Sequence, residues 1–201
     1  MFTGIIEATG IVKEIIKNGS NRTYWIQSIL SSKFKRDQSI SHNGVCLTVE
    51  ETKHNMHRVT AIKETLIKTN LKKWQPETVI NIERSLLPSS RLDGHFVQGH
   101  VDTTGVCEKI KDRKGSLEFS FSFSKKFSPL VIEKGSICIN GISLTAFEVK
   151  KNIFKVAIIP YTFMHTNLQY IKKNDAVNIE FDMLGKYLLQ HQLLKKKIRG
   201  T

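Results

Sequence analysis

The side chains best suited to chemistry stand in two short runs. These are Asn43-Gly44-Val45-Cys46-Leu47-Thr48 and, 97 positions later, Asn140-Gly141-Ile142-Ser143-Leu144-Thr145. Asn-Gly tolerates positive φ and sets a tight turn. In a strand leaving that turn side chains alternate, so Cys46 and Thr48 share a face, as do Ser143 and Thr145. A thiol and a hydroxyl at equivalent positions are candidate nucleophiles or proton carriers, although Ser143 lacks the Gly-x-Ser-x-Gly context of a nucleophile elbow. His95 and His100 flank Phe96-Val97-Gln98-Gly99. An imidazole titrates near neutrality and suits proton transfer, while a spacing of five on a strand puts the two rings on opposite faces and argues against joint metal ligation. Glu64 and Asp182 border strands and read first as surface carboxylates. No Walker loop, dinucleotide fingerprint or metalloprotease motif is present.

These runs belong to a longer repeat. Residues Asn43 to Glu83 match Asn140 to Glu180 at sixteen of 41 positions without a gap, ending in Asn81-Ile82-Glu83 against Asn178-Ile179-Glu180. An offset of 95 relates Gly4–Ile11 to Gly99–Val106, which places His100 where the first copy has Ile5. The period is too long for a solenoid, so each copy is expected to be a small domain. Strands are predicted at Ile5 to Ile16, Arg22 to Gln27 (answered by Ser116 to Phe121), Val45 to Thr52, His57 to Ile62 and Val79 to Arg84, with a short helix over Glu64 to Leu71. Six or so short strands in under 100 residues argue for a small closed β-barrel. The strong helix signal lies outside the repeat, over Met183 to Ile198, where Leu184, Tyr187, His191, Leu194 and Ile198 form a 3-4-3-4 seam suited to self-association.

Composition narrows the partners. Forty per cent hydrophobic residues supply a core, and no run approaches the roughly 18 apolar residues of a membrane span. Met1-Phe2-Thr3-Gly4 lacks the basic and then apolar segments of a signal peptide, so the chain is expected to be cytoplasmic. Cys46, Cys107 and Cys138 are odd in number and unpaired by motif, against a disulfide framework or a zinc site. The net charge of +13 comes mostly from dispersed lysines, with only seven arginines. It promises nonspecific stickiness at low salt rather than a nucleic-acid site. Two β-barrels, each with a pocket rich in hydroxyls and amides, suit a flat heterocycle bound by its polar edges. The residues alone do not give the reaction.

Five segments together carry a resemblance. Met1-Phe2-Thr3-Gly4-Ile5-Ile6, the two Asn-Gly runs, Lys63-Glu64-Thr65-Leu66 and Gly94-His95-Phe96-Val97-Gln98-Gly99-His100-Val101 resemble, in order and over the whole chain, the riboflavin synthases of the α-chain, lumazine-binding type. The resemblance implies a mainly β fold: a tandem pair of six-stranded Greek-key barrels at 1–93 and 94–182, then a trimerisation helix and tail at 183–201. It implies a homotrimer that dismutates two molecules of 6,7-dimethyl-8-ribityllumazine, without metal or organic cofactor, at a site shared between the N-terminal barrel of one chain and the C-terminal barrel of its neighbour. Association with lumazine synthase is left open.

By motif correspondence, the N-terminal lumazine site is expected from Gly4, Ile5, Ile6, Cys46, Leu47, Thr48, Thr60, Ala61, Ile62, Lys63, Glu64 and Thr65. The C-terminal site is expected from Gly99, His100, Val101, Lys134, Ser143, Leu144, Thr145, Ala157, Ile158, Ile159, Pro160, Tyr161 and Thr162. His100, Ser143, Thr145 and Cys46 are the expected groups for proton transfer or nucleophile activation, with His95 and Asp182 in support, and His100 is expected beside Ser143. Tyr161 departs from the glutamate or histidine usual in the family, which implies altered contacts to the ribityl chain. Two readings from other classes compete: a lumazine or flavin carrier of the same fold, and a basic RNA-binding barrel, for which no exposed aromatic platform is evident.

Overall fold

The structure, a computed structural model, describes the backbone of residues 1–199 and side chains through Lys195. In the first half, β1 (Ala8–Asn18), β2 (Asn21–Gln27), β3 (Ser39–His42), β4 (Val45–Lys53), β5 (Met56–Ala61) and β6 (Val79–Arg84) close into an antiparallel barrel of order β1-β2-β5-β4-β3-β6. Alternation fills it: Val45, Leu47 and Val49 point inward from β4 and meet Val59, Tyr24, Ile26, Ile80 and Ile82. The second half repeats the circuit with β7 (Thr103–Asp112), β8 (Leu117–Ser122), β9 (Ser136–Ile139), β10 (Ile142–Thr145), β11 (Phe147–Lys150), β12 (Ile153–Ile158) and β13 (Ala176–Phe181). Its order is β10-β9-β13-β7-β8-β12-β11.

Here the counterpart of β4 is split into β10 and β11 at Ala146. The first barrel has only a bulge at this place, between Val49 and Glu51. In the second, the irregularity widens to Phe147–Lys150, Glu148 adopts φ +47°, and the Glu133 carboxylate accepts from the Glu148 and Val149 N–H groups. Those donors leave the ladder and widen the irregularity within β11.

Local differences from the predicted elements have local causes. β1 begins at Ala8 rather than Ile5, because Gly4 at φ +79° turns the chain away. The helix expected over Glu64 to Leu71 divides into α1 (Lys63–Lys68) and a 3-10 turn at Asn70–Lys73. Thr69 makes the break: its hydroxyl donates to the Thr65 carbonyl and accepts from the Leu71 N–H. Thr166 does the same after α2 (Pro160–His165). The C-terminal helix α3 (Met183–Arg199) is as expected, capped by Asp182 Oδ1 accepting from the Leu184 N–H at 2.9 Å. Leu184, Tyr187, Leu188, Leu193 and Leu194 are exposed on it; the side chain of Ile198, the last of the expected seam, lies outside the described residues. No helix among the described residues is long and apolar enough to cross a membrane.

The halves meet about an approximate two-fold axis. The two Asn-Gly turns touch there: a Cβ on Gly44 would fall 2.7 Å from the Gly141 nitrogen, and one on Gly141 would fall 2.8 Å from the Gly44 nitrogen. Buried asparagines fasten the seam. Asn81 Nδ2 donates to the Asn140 carbonyl and to Asn167 Oδ1, Asn167 Nδ2 donates to Asn43 Oδ1, and Asn178 Nδ2 donates to the Asn43 carbonyl, all at 2.9–3.1 Å.

Candidate functional site

The expected grouping of site residues is corrected by the structure: the two leading segments are exchanged between the barrels. Residues 1–6, expected beside Cys46, lie against the second barrel, where the Ser143 N–H donates to the Gly4 carbonyl at 2.8 Å and Ile6 packs on the second core. Residues 98–101 cross the other way. The Cys46 N–H donates to the Gly99 carbonyl at 2.8 Å, and Val101 packs on the first core. Phe2 and Val97, equivalent in the repeat, form the bridge where the segments pass. Neither segment is a strand, so the expectation of opposite strand faces for His95 and His100 does not apply.

Both contacts need glycine. Gly4 and Gly99 have φ of +79° and +80°, and a Cβ on either would lie 2.6 Å from the Cβ of Ser143 or Cys46 respectively. Two buried carboxylates hold the segments. Glu83 of β6 accepts from the Thr3 N–H, the Thr3 hydroxyl and the Gly4 N–H, and Glu180 of β13 accepts from the N–H groups of Gln98, Gly99 and His100. Sequence reasoning missed these two residues. The available signal was their identity in the closing match of the repeat, with a carboxylate among buried strand residues.

The half-site on the first barrel is a cleft of about 210 Å³ lined by Cys46, Glu64, Thr65, Gly99, His100 and Val101. Leu47 is buried in the core beneath it and Thr48 faces outward. Of the neighbouring segment, the Thr60 hydroxyl pairs with Thr23 at 2.8 Å, Ala61 is buried, and Ile62 and Lys63 are exposed at the start of α1. Glu64 pairs with Lys68 at 2.8 Å. His100, expected beside Ser143, is here instead, on the exposed rim.

On the second barrel, His95 Nδ1 lies 2.7 Å from Ser143 Oγ. Burial lowers the His95 pKa, opposed by the nearby Asp182 carboxylate. A neutral imidazole with Nδ1 unprotonated accepts the hydroxyl proton, which polarises Ser143 and lets the pair carry a proton. Leu144 packs on the second core and Thr145 is exposed. The Lys134 ammonium sits 5.4 Å from the Phe147 ring centroid. Ala157, Ile159 and Tyr161 are exposed, Ile158 is buried, and Pro160 opens α2, where the Thr162 carbonyl accepts from Thr166. Tyr161 stacks on His165 with centroids 4.1 Å apart. Ile5 is not at either strand face; it lines a larger cavity of about 540 Å³ beside Glu83, Arg84 and the linker between the barrels. No cluster of metal-ligating side chains is found among the described residues.

Each barrel therefore offers one strand carrying a thiol or hydroxyl, faced by a glycine-bearing segment of the other repeat. The same doubling is seen in comparison with known proteins: the lumazine binding domain family matches residues 3–85 and 98–182. Riboflavin synthase of Actinobacillus pleuropneumoniae is 39% identical over 200 residues, covering 98% of this chain and 91% of that protein. The chain belongs to the riboflavin synthase family. Members from Bacillus subtilis (strain 168), at 33% identity over 100% of this chain and 95% of the relative, and from Schizosaccharomyces pombe, at 37% over 93% and 91%, align as fully. Among solved structures, LumP complexed with riboflavin superposes with a TM-score of 0.85 at 22% identity, covering 90% of this chain and 99% of that one, which establishes the shared fold. Family membership makes the chain an enzyme, a transferase of a four-carbon unit.

Proposed function

We propose that this chain dismutates two 6,7-dimethyl-8-ribityllumazine molecules to riboflavin and 5-amino-6-ribitylamino-uracil, with one lumazine on each barrel. The supporting observation is the pair of equivalent but chemically unequal half-sites: Cys46 under Gly99 and His100 on the first barrel, and Ser143 joined to His95 under Gly4 on the second. The lumazine C7 methyl is acidic because its anion spreads over the pteridine, so a modest base such as an imidazole suffices. The remaining requirement is orientation of two flat rings. Ser143 with His95 serves as the activated hydroxyl, Asp182 tunes His95, and His100 with Cys46 serves the partner lumazine.

The cleft on the first barrel is lined by residues of that half-site without Ser143 or His95, which supports a complete site that joins the first barrel of one chain to the second barrel of another. The exposed apolar residues of α3 support assembly into a homotrimer through this helix. Three free cysteines suit a reducing, cytoplasmic setting. The test is incubation of the purified protein with the lumazine alone. Riboflavin absorbance should grow with no added cofactor, whereas tight binding without turnover would establish a carrier instead. Truncation after Asp182 should yield monomers with little activity; full activity in such monomers would refute the shared site.

A further inference from the structure

We propose that Glu83 and Glu180 are positioning residues that act across the barrel boundary, each belonging to one barrel and setting the half-site of the other. This rests on the reading of the half-sites above. Glu180 stands on β13 of the second barrel, yet its carboxylate accepts three backbone N–H groups, at 2.6, 2.9 and 2.9 Å, from Gln98, Gly99 and His100, which cover Cys46 of the first. Glu83 stands on β6 of the first barrel and holds Thr3 and Gly4 over Ser143 of the second. The two linkages run in parallel: Glu180 to Gly99 to the Cys46 N–H, and Glu83 to Gly4 to the Ser143 N–H.

The chemistry requires a carboxylate. Every group facing Glu180 in these contacts is a donor, so both oxygens must accept. Glutamine preserves the shape but turns one oxygen into an NH₂ that faces another donor. Both carboxylates are almost fully buried, and that desolvation raises their pKa values, for Glu180 to about 7. Barrel stability alone would favour an apolar residue at such a place. What the carboxylates accomplish is to fix a non-strand segment, with a glycine at positive φ, against the strand that carries the reactive group.

The molecule contains its own reporter. Cys46 is half-buried under Gly99, whereas Cys107 is buried in the second barrel and Cys138 in the cluster with Phe2 and Val97 on which Cys46 packs, both with thiols pushed up, Cys107 to about 11. Because Cys138 pairs with Glu180 across the strands, labelling of the intact protein in a Cys138→Ser background with dithionitrobenzoate, followed by thionitrobenzoate release, reads the first half-site. Losing one or two buried hydrogen bonds should speed Cys46 labelling by about 10-fold in Glu180→Gln, with Glu83→Gln near the wild-type rate. Glu180→Gln should also raise KM for the lumazine more than it lowers kcat, and Glu180→Asp should restore part of both. Should Glu180→Gln not fold, Gly99→Ala breaks the same contact from the other side and should also open Cys46. Unchanged labelling in Glu180→Gln, or equal acceleration in both glutamine variants, would overturn the crossed arrangement. An opened Cys46 with unaltered kinetics would overturn the positioning role. Absence of riboflavin formation by the wild type would instead defeat the functional reading and leave the labelling contrast standing.

Discussion

Position for position, His57 and His42 of the first barrel become Phe154 and Ile139 in the second. Inside the first barrel the two imidazoles form a fully determined proton chain. The Ile40 carbonyl can only accept, so His42 Nδ1 donates to it at 3.0 Å. His42 Nε2 must then accept from His57 Nε2 at 2.8 Å, and His57 Nδ1 accepts from the Ser31 hydroxyl at 2.8 Å. Both rings are neutral and neither has room for another proton. The second barrel is instead packed with rings: Phe119, Phe121, Phe123, Phe154 and Phe181 lie in contact, with neighbouring centroids 5.7–6.0 Å apart. The outer faces differ in the same manner. Glu64 and Lys68 form an ion pair where Tyr161 and His165 stack, and in the second half His95 contacts the strand hydroxyl of Ser143. Duplication kept the backbone contacts, namely the Asn-Gly turns, the threonine breaks and the carboxylate-held segments. It left side-chain chemistry free to diverge, so the two half-sites carry different groups.

The sharpest way to break that comparison is at the reactive pair. Ser143→Ala should lower kcat by about 10²–10³-fold, in the range of a lost proton-transfer group, while Cys46→Ser should lower it by only about 10-fold. Equal losses under steady-state assay would mean the halves share the chemistry. The next largest effect is on acid stability. Burial lowers the pKa of His42 far below 6.5 and that of His57 to about 4. Between about 4 and 6.5 the unfolded chain binds protons that the folded one refuses. Their neutral forms thus leave stability intact above 6.5, and it is lost as pH falls through that window, by about 3 kcal/mol for His57 alone. Denaturant titrations at pH 7.5 and 5 should show about 2 kcal/mol of this loss from His57, and the double change His42→Ile with His57→Phe, copying the second barrel, should flatten it. A flat wild-type profile would contradict the buried chain.

At the seam, Asn81→Ala should cost about 2–4 kcal/mol by thermal or denaturant unfolding, since its side chain makes three hydrogen bonds with the other half. Asn178→Ala removes two such bonds and should cost less. The reverse ranking would show that the approximate symmetry is not shared as described. The smallest effect is expected at Tyr161→Glu, which restores the acidic residue of the first half: KM for the lumazine should shift by about 2–5-fold with kcat nearly unchanged.

The sequence by itself determined everything that depends on neighbouring residues or on the repeat. Asn-Gly at Asn43 and Asn140 required left-handed turns, alternation through Cys46 and Ser143 required strands with one inward face, and the match at two offsets required two like barrels. The seam of Leu184, Tyr187, His191 and Leu194 required a helix outside them. Only the tertiary structure decided which leading segment serves which barrel. Gly4 and Gly99 are held by carboxylates some 80 residues away, through backbone N–H groups that every residue but proline carries. No periodicity or residue type encodes such a partner. Likewise, the irregularity within β11 depends on Glu133 reaching across to Glu148, and the Ser143–His95 pair depends on where the chain between the barrels comes to rest. Short-range geometry is written in the chain, whereas the choice between two equivalent barrels is made by packing across the axis that relates them.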